Sequence, residues 1–147
     1  IVDINILFWI LIGVVGMQRR LLKAAGWGKS YFVKARLLNV WRTVAFLDDD
    51  IFIDSLKDYG LPVCMDKVVT TPLGTDPDSF WEMDQREDIE KDEVRIILQA
   101  LAILRPIATA WGLPFEFSHE LEPPLFLRLY SAGERAIKIQ QRDVAHL

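Results

Sequence analysis

From Ile6 to Met17 the chain runs through twelve apolar residues without a break, glycines included. A stretch this apolar has three destinations: a protein core, a bilayer, or a targeting segment. Length separates them. A run of 10–14 fits a buried helix or a signal core, and about 20 residues are needed to span a membrane. Ile1, Val2 and Ile4 extend the run backward past Asp3 and Asn5, and Leu21 and Leu22 extend it forward past Arg19 and Arg20. The wider segment Ile4–Leu22, coiled as a helix, would be about 28 Å long, close to a hydrocarbon core. Two arginines at its end can snorkel to phosphates, and Trp27 and Tyr31 follow where interfacial aromatics sit.

The expectation is therefore a single transmembrane anchor over residues 1–23, with Phe8, Trp9, Arg19, Arg20, Trp27 and Tyr31 in contact with the membrane. The alternatives are a buried core helix and a retained or partly processed targeting segment. A secretory signal carries its basic residues before the apolar core; here they follow it. That order fits an anchor with the C-terminal part on the positive side of the membrane, the cytoplasm, the mitochondrial matrix or the chloroplast stroma. A chain starting at Ile1 fits either removal of a leader or a missing start.

Charge divides at the same place. Residues 1–47 carry seven basic residues against the single acid Asp3, and residues 48–147 carry ten against twenty. A basic stretch beside an apolar run suits an anionic membrane face, such as one holding cardiolipin. The acidic remainder excludes a general nucleic-acid binder. Hydrophobic residues make up 51% of the chain, and the mean hydropathy is +0.17. That is more apolar surface than one small soluble domain requires.

Beyond the anchor, apolar positions at Leu37, Leu38, Trp41, Val44 and Ala45 predict a helix over Leu21–Leu47, broken from the anchor by Gly26 and Gly28. It would lie on the membrane or serve as an ordinary domain helix within a basic segment, residues 24–59. Asp48 or Asp49 would cap a short helix reaching Lys57 and ending near Gly60. Residues 60–88 read as an extended acidic linker punctuated by Pro62, Pro72, Gly74 and Pro77. The strongest helical period is in Glu87–Trp111, with Ile97, Leu101, Leu104, Ala108 and Trp111 on one face and a kink from Pro106. Arg95, Gln99 and Arg105 argue against this segment as a second span. A last helix is expected over Leu125–Val144, with Leu125, Leu129, Ala132, Ala136 and Ile139 forming its stripe. Together with Glu87–Trp111 it makes up a C-terminal helical segment, residues 89–147.

Chemical motifs fail on inspection. Gly28-Lys29-Ser30 lacks the glycine a phosphate loop needs five positions earlier, where Lys23 stands. Asp49, Asp50 and Asp54 resemble an aspartate-rich metal motif without the second cluster that such chemistry requires. Asp76, Asp78 and Glu87 fall at calcium-loop positions, but Phe80 and Trp81 occupy the next ligand position and the turn glycine. His119 and His146 are far apart, and Cys64 has no base beside it in sequence. The expectation is a non-enzyme with no cofactor and no metal site.

Five Trp, eight Phe and three Tyr in a chain without catalytic residues point to contacts with other proteins. Trp41, Trp81, Trp111 and Phe115 are the expected partner contacts. The fold class expected is mainly α: one N-terminal transmembrane helix, then amphipathic helices and long Pro-punctuated loops packed on partner subunits. In architecture alone this resembles the small supernumerary subunits of organellar membrane complexes. The resemblance implies a non-catalytic accessory subunit with anchoring and assembly roles, in a respiratory complex or ATP synthase of the mitochondrial inner membrane, with the C-terminal part in the matrix. The alternatives are a soluble helical interaction module whose first helix is buried in a partner or oligomer, and a small metal-dependent enzyme using Asp48–Asp54.

Overall fold

Asp3 begins the first helix by satisfying two backbone donors that the helix itself leaves open: its Oδ1 accepts from Asn5 N (2.9 Å) and Ile6 N (3.1 Å). The computed structural model describes residues 1–27, 34–71, 92–113 and 125–145. In these residues a two-residue strand β1 (Val2–Asp3) leads into helix α1 (Ile4–Ala24). Strands β2 (Arg36–Leu38) and β3 (Ala45–Phe46) follow, then helix α2 (Asp50–Tyr59) and strand β4 (Val68–Thr70). Helix α3 (Asp92–Ala108) runs into a 3₁₀ turn at Thr109–Trp111, and helix α4 (Leu125–Ala145) closes the described chain. The described residues are thus mostly helical.

Three helices make the core. Phe8, Ile12 and Val15 of α1 face Ile97, Leu101 and Leu104 of α3 and Leu129 and Ile137 of α4. Gly16 lies against Ile96, while Trp111 at the far end of α3 reaches Thr43, beside the strand that holds Val2. Helices α1 and α3 are therefore antiparallel. All five residues from Ala100 to Leu104 are buried, so α3 is enclosed on every side at its middle. The expected stripe Ile97, Leu101, Leu104, Ala108 and Trp111 is buried throughout. Pro106 sits in the last turn of α3, where Leu113 N–H closes back onto Ala108 O across Gly112 (φ +71°).

Helix α4 approaches through a glycine. A Cβ on Gly133 would lie 3.1 Å from Phe8 and 3.3 Å from both Ile12 and Ile97, tighter than ordinary contact. The buried line on α4 is Leu129, Gly133 and Ile137; of the expected stripe Leu129 is buried, Ala132 half-buried and Ile139 exposed, while the side chains of Leu125 and Ala136 lie outside those described. This line follows from that close approach: the smallest residue on α4 turns inward because only there can the backbone come near Phe8.

Among the described residues, no helix follows Ala24 in the range expected to be helical, Leu21–Leu47. Helix α1 ends at Ala24, with Gly26 in the left-handed region (φ +65°) and Trp27 N–H returning to Leu22 O. Leu37 and Leu38 belong instead to β2, which pairs antiparallel with β4 (Leu37 opposite Val69, Leu38 opposite Val68). Ala45 and Phe46 form β3, parallel to β1, with Val2 opposite Ala45. The β-branched residues Val40, Thr43, Val44, Val68 and Val69 fit a pleated surface, and distant partners override the weak helical spacing. The segment read as a linker from residue 60 also holds sheet structure, in the Val44–Val63 bridge and in β4.

Helix α1 and the run Glu93–Trp111, which is α3 with its 3₁₀ turn, are both long and apolar enough to cross a membrane by length and composition. They differ in burial: 33% of the apolar window of α1 is buried in the protein, against 56% for α3. The second is the more enclosed of the two, and most of the first lies at the surface.

Two glycines test this packing. Gly13 faces open space in mid-helix, so Gly13→Ala should stabilise by about 0.5–1 kcal/mol through helix propensity. Gly133→Ala gains the same propensity but overpacks against Phe8, Ile12 and Ile97, a penalty of about 1–3 kcal/mol, so it should destabilise by about 1 kcal/mol net. Urea midpoints of the two variants should move in opposite directions.

Candidate functional site

The outward face of α1 is apolar from Ile6 to Met17, and Arg20 enters the same arc only in its last turns. Ile6, Trp9, Ile10, Val14, Met17 and Leu21 are all exposed, at spacings of three and four. With Gly13 they cover an arc of about 140° at about 3.6 residues per turn. The opposite arc, Ile4, Phe8, Leu11, Ile12 and Val15, is buried against the other helices. A soluble surface helix carries one apolar stripe and one polar face; α1 carries two apolar faces. Its outer one is a contiguous exposed stripe rather than scattered single residues, the kind of surface that marks an interaction site. Arg20 and Lys23 are exposed in its last turns, and Trp27 is half-exposed just beyond them.

Beside this face lies a groove of about 630 Å³ between α1, α4 and the approach to α2. Asn5 and Trp9 form one wall, and Arg128, Leu129, Ser131, Ala132, Arg135 and Ile139 the other. Leu47, Asp48 and Asp49 make the end. Asp49 does two jobs there. Its Oδ1 accepts from Phe52 N (3.1 Å) and so caps α2, while its Oδ2 pairs with Arg128 Nη1. The pair is about three-quarters buried and fixes α4 to the start of α2. Arg128 retains a buried Nε–H that has no acceptor among the described residues. Tyr130, the neighbour of Leu129, has its phenol pushed above the usual value by burial and then by the charge of Glu134.

The expected contact residues separate. Trp9 and Arg20 lie at the surface with Trp27, and Arg19 is half-buried. Phe8, expected on lipid, is instead fully buried against α3 and α4. Its position in an unbroken apolar run gave no clue to which face would turn inward. Trp41 is exposed and stacks under the Arg42 guanidinium at 4.3 Å, with Arg42 itself in the left-handed region (φ +57°). Trp111, expected on a partner, is 3% exposed and donates from its indole Nε1 to Thr43 O (3.1 Å) and Thr43 Oγ1 (3.3 Å). It is a clamp within the chain. Tyr31, Trp81 and Phe115 lie outside the described residues, as do His119, His146 and the segment holding Asp76, Asp78 and Glu87.

Among the described residues there is no group of three or more His, Cys, Asp or Glu placed to hold a metal. Asp49 serves as cap and ion-pair partner, Asp54 pairs with Lys57 one turn on (2.8 Å), and Cys64 is fully buried. The residues that sequence alone did not single out are the outward set Ile6, Ile10, Val14, Met17 and Leu21 and the groove arginines. Arg128 and Arg135 are seven apart, two helical turns, which is the one sequence signal that placed them on a common face.

Asp49→Ala should lose about 2 kcal/mol, about 1 from the cap and about 1 from the ion pair. Asp49→Asn keeps a good capping side chain and should recover about half of that. Denaturant titration of the two variants checks the division.

Against protein-family models, curated proteins and solved structures the chain shows no match, so its function is argued from its own residues.

Proposed function

We propose that this chain is a non-catalytic, membrane-attached accessory subunit of a multi-subunit complex, with anchoring and assembly as its work. The observation that carries the reading is the second apolar face of α1. Its inner face is occupied by α3 and α4, so the outer one is available to lipid along its whole length.

The packing bears on how it attaches. Glu134, Arg135, Lys138 and Arg142 are exposed on α4, and Arg95 and Arg105 on α3. If α1 crossed the bilayer with these helices attached, the charges would be drawn to membrane depth, at about 2.5–3.5 kcal/mol or more for each arginine or lysine near the centre. Lengthwise attachment avoids this. The outer arc of α1 enters the acyl boundary, as interfacial helices do, while Arg20, Lys23 and Trp27 meet the headgroups. Attraction of the basic N-terminal third to anionic lipid, cardiolipin included, supports a mitochondrial inner membrane, with the acidic remainder on the matrix side. A respiratory complex or ATP synthase is the class of host proposed. Exposed Leu38, Trp41, Met65 and Val68 supply a second apolar area for neighbouring subunits.

The rival reading is a soluble interaction module with α1 buried in a partner. The observation favouring it is the greater burial of the α3 segment, since a core helix of a soluble protein has the same length and apolar composition.

Ile10→Glu and Val14→Glu separate the two. Both positions are about half exposed and face away from the core, so the folded chain should keep its melting temperature within a few degrees. The native chain should float with vesicles containing cardiolipin, stay with membranes in high salt, and migrate in a large assembly on native gels in mild detergent. The glutamate variants should stay at the bottom of the flotation gradient. Native chain that fails to float and migrates as a monomer would overturn the reading.

A further inference from the structure

Resting on the membrane-attached reading, we propose that the groove between α1 and α4 is a binding site for the headgroup of a zwitterionic phospholipid, a phosphate ester bearing a cationic amine. The argument starts from charge. Four ionic side chains line the groove: Asp48, Asp49, Arg128 and Arg135. Asp49 and Arg128 cancel each other. Asp48 and Arg135 form no ion pair or hydrogen bond with any described residue, and both are exposed. The groove therefore presents one uncommitted anion and one uncommitted cation, and a ligand of matching polarity carries both signs.

Donors decide which group goes where. Arg128 is taken up by Asp49, so Arg135, exposed on the groove wall, and the hydroxyl of Ser131 on the same helix supply the positive charge and a donor to a phosphate oxygen. Asp48 takes the amine, and the half-exposed indole of Trp9 offers a face to a quaternary ammonium.

The walls account for the rest of the molecule. Leu47, Leu129, Ala132 and Ile139 are apolar, and Trp9 belongs both to the groove and to the outward stripe of α1. An acyl chain can pass from the groove along Trp9 onto the surface that enters the membrane. A free phosphate would use Arg135 and Ser131 alone and leave Asp48 and the apolar walls unused. That difference separates the two sources of the same phosphate chemistry.

The test uses the full chain with dihexanoylphosphatidylcholine held below its micelle threshold, and calorimetry as the readout. Saturable binding at one site is expected. Arg135→Ala should weaken it at least tenfold, and Asp48→Asn severalfold. Dihexanoylphosphatidic acid, which lacks the amine, should bind Asp48→Asn at least as well as the native chain. Flotation with cardiolipin vesicles should be unchanged in both variants, since neither residue is on the outer face of α1. No saturable binding while flotation persists would overturn the groove and leave membrane attachment standing. Equal competition by inorganic phosphate would also overturn it, as would an Asp48→Asn variant that binds both lipids like the native chain. Loss of flotation by the native chain would remove the membrane reading itself.

Discussion

Everything else in this fold depends on the place where three helices meet with less than ordinary room for a methyl group. Phe8, Ile12 and Ile97 close around Gly133, and the backbone of α4 comes in where a side chain would have held it off. That contact commits one face of α1 to the interior. It also sets the rotation of α1, and so determines which apolar residues are left outside. Burial of a large aromatic is worth a few kcal/mol, comparable to a sizeable share of a small domain's net stability. The exposed stripe is thus a by-product of a strongly determined core: α1 has more apolar positions than its inner face can use.

Polar contacts then fix the ends. Asp3 caps α1 and lies in β1, whose partner β3 lies two residues from the Thr43 that Trp111 grips. At the other side Asp49 ties the start of α2 to α4. Asp49 and Trp111 each join two elements through one side chain, so few polar groups orient many apolar ones. Such doubling makes single substitutions costly, since removing one partner leaves the other desolvated without compensation.

Some of this was legible in the sequence. The period of α3 was strong enough to name its buried face from Ile97 to Trp111, and the acids before Ile51 announced the cap of α2. The failures have physical causes. Leu37 and Leu38 have helical spacing, yet they pair with Val68 and Val69, some thirty residues later; nothing local records that partnership. Within Ile6–Met17 every residue is apolar, so periodicity carries no information about which face is inside, and Phe8 was placed on lipid for that reason. Trp111 was placed on a partner because composition shows an aromatic excess without showing where each ring goes. The groove was hidden because it joins α1, the 47–49 corner and α4, which are distant in sequence and individually unremarkable.

The order of these segments along the chain has a consequence for synthesis. The inner face of α1 is covered by α3 and α4, whose contacts with it, Ile97 and Gly133, come about 85 and 120 residues after Ile12. At about 5–20 residues per second, α1 leaves the ribosome several seconds or more before its own chain can cover it. During that interval both of its faces are bare, and it looks like a free apolar helix to whatever is nearby. Only when α4 arrives do the two faces become different, one closed inside the protein and one left open. The nascent helix is thus exposed to membranes and chaperones in a form that the finished protein no longer has.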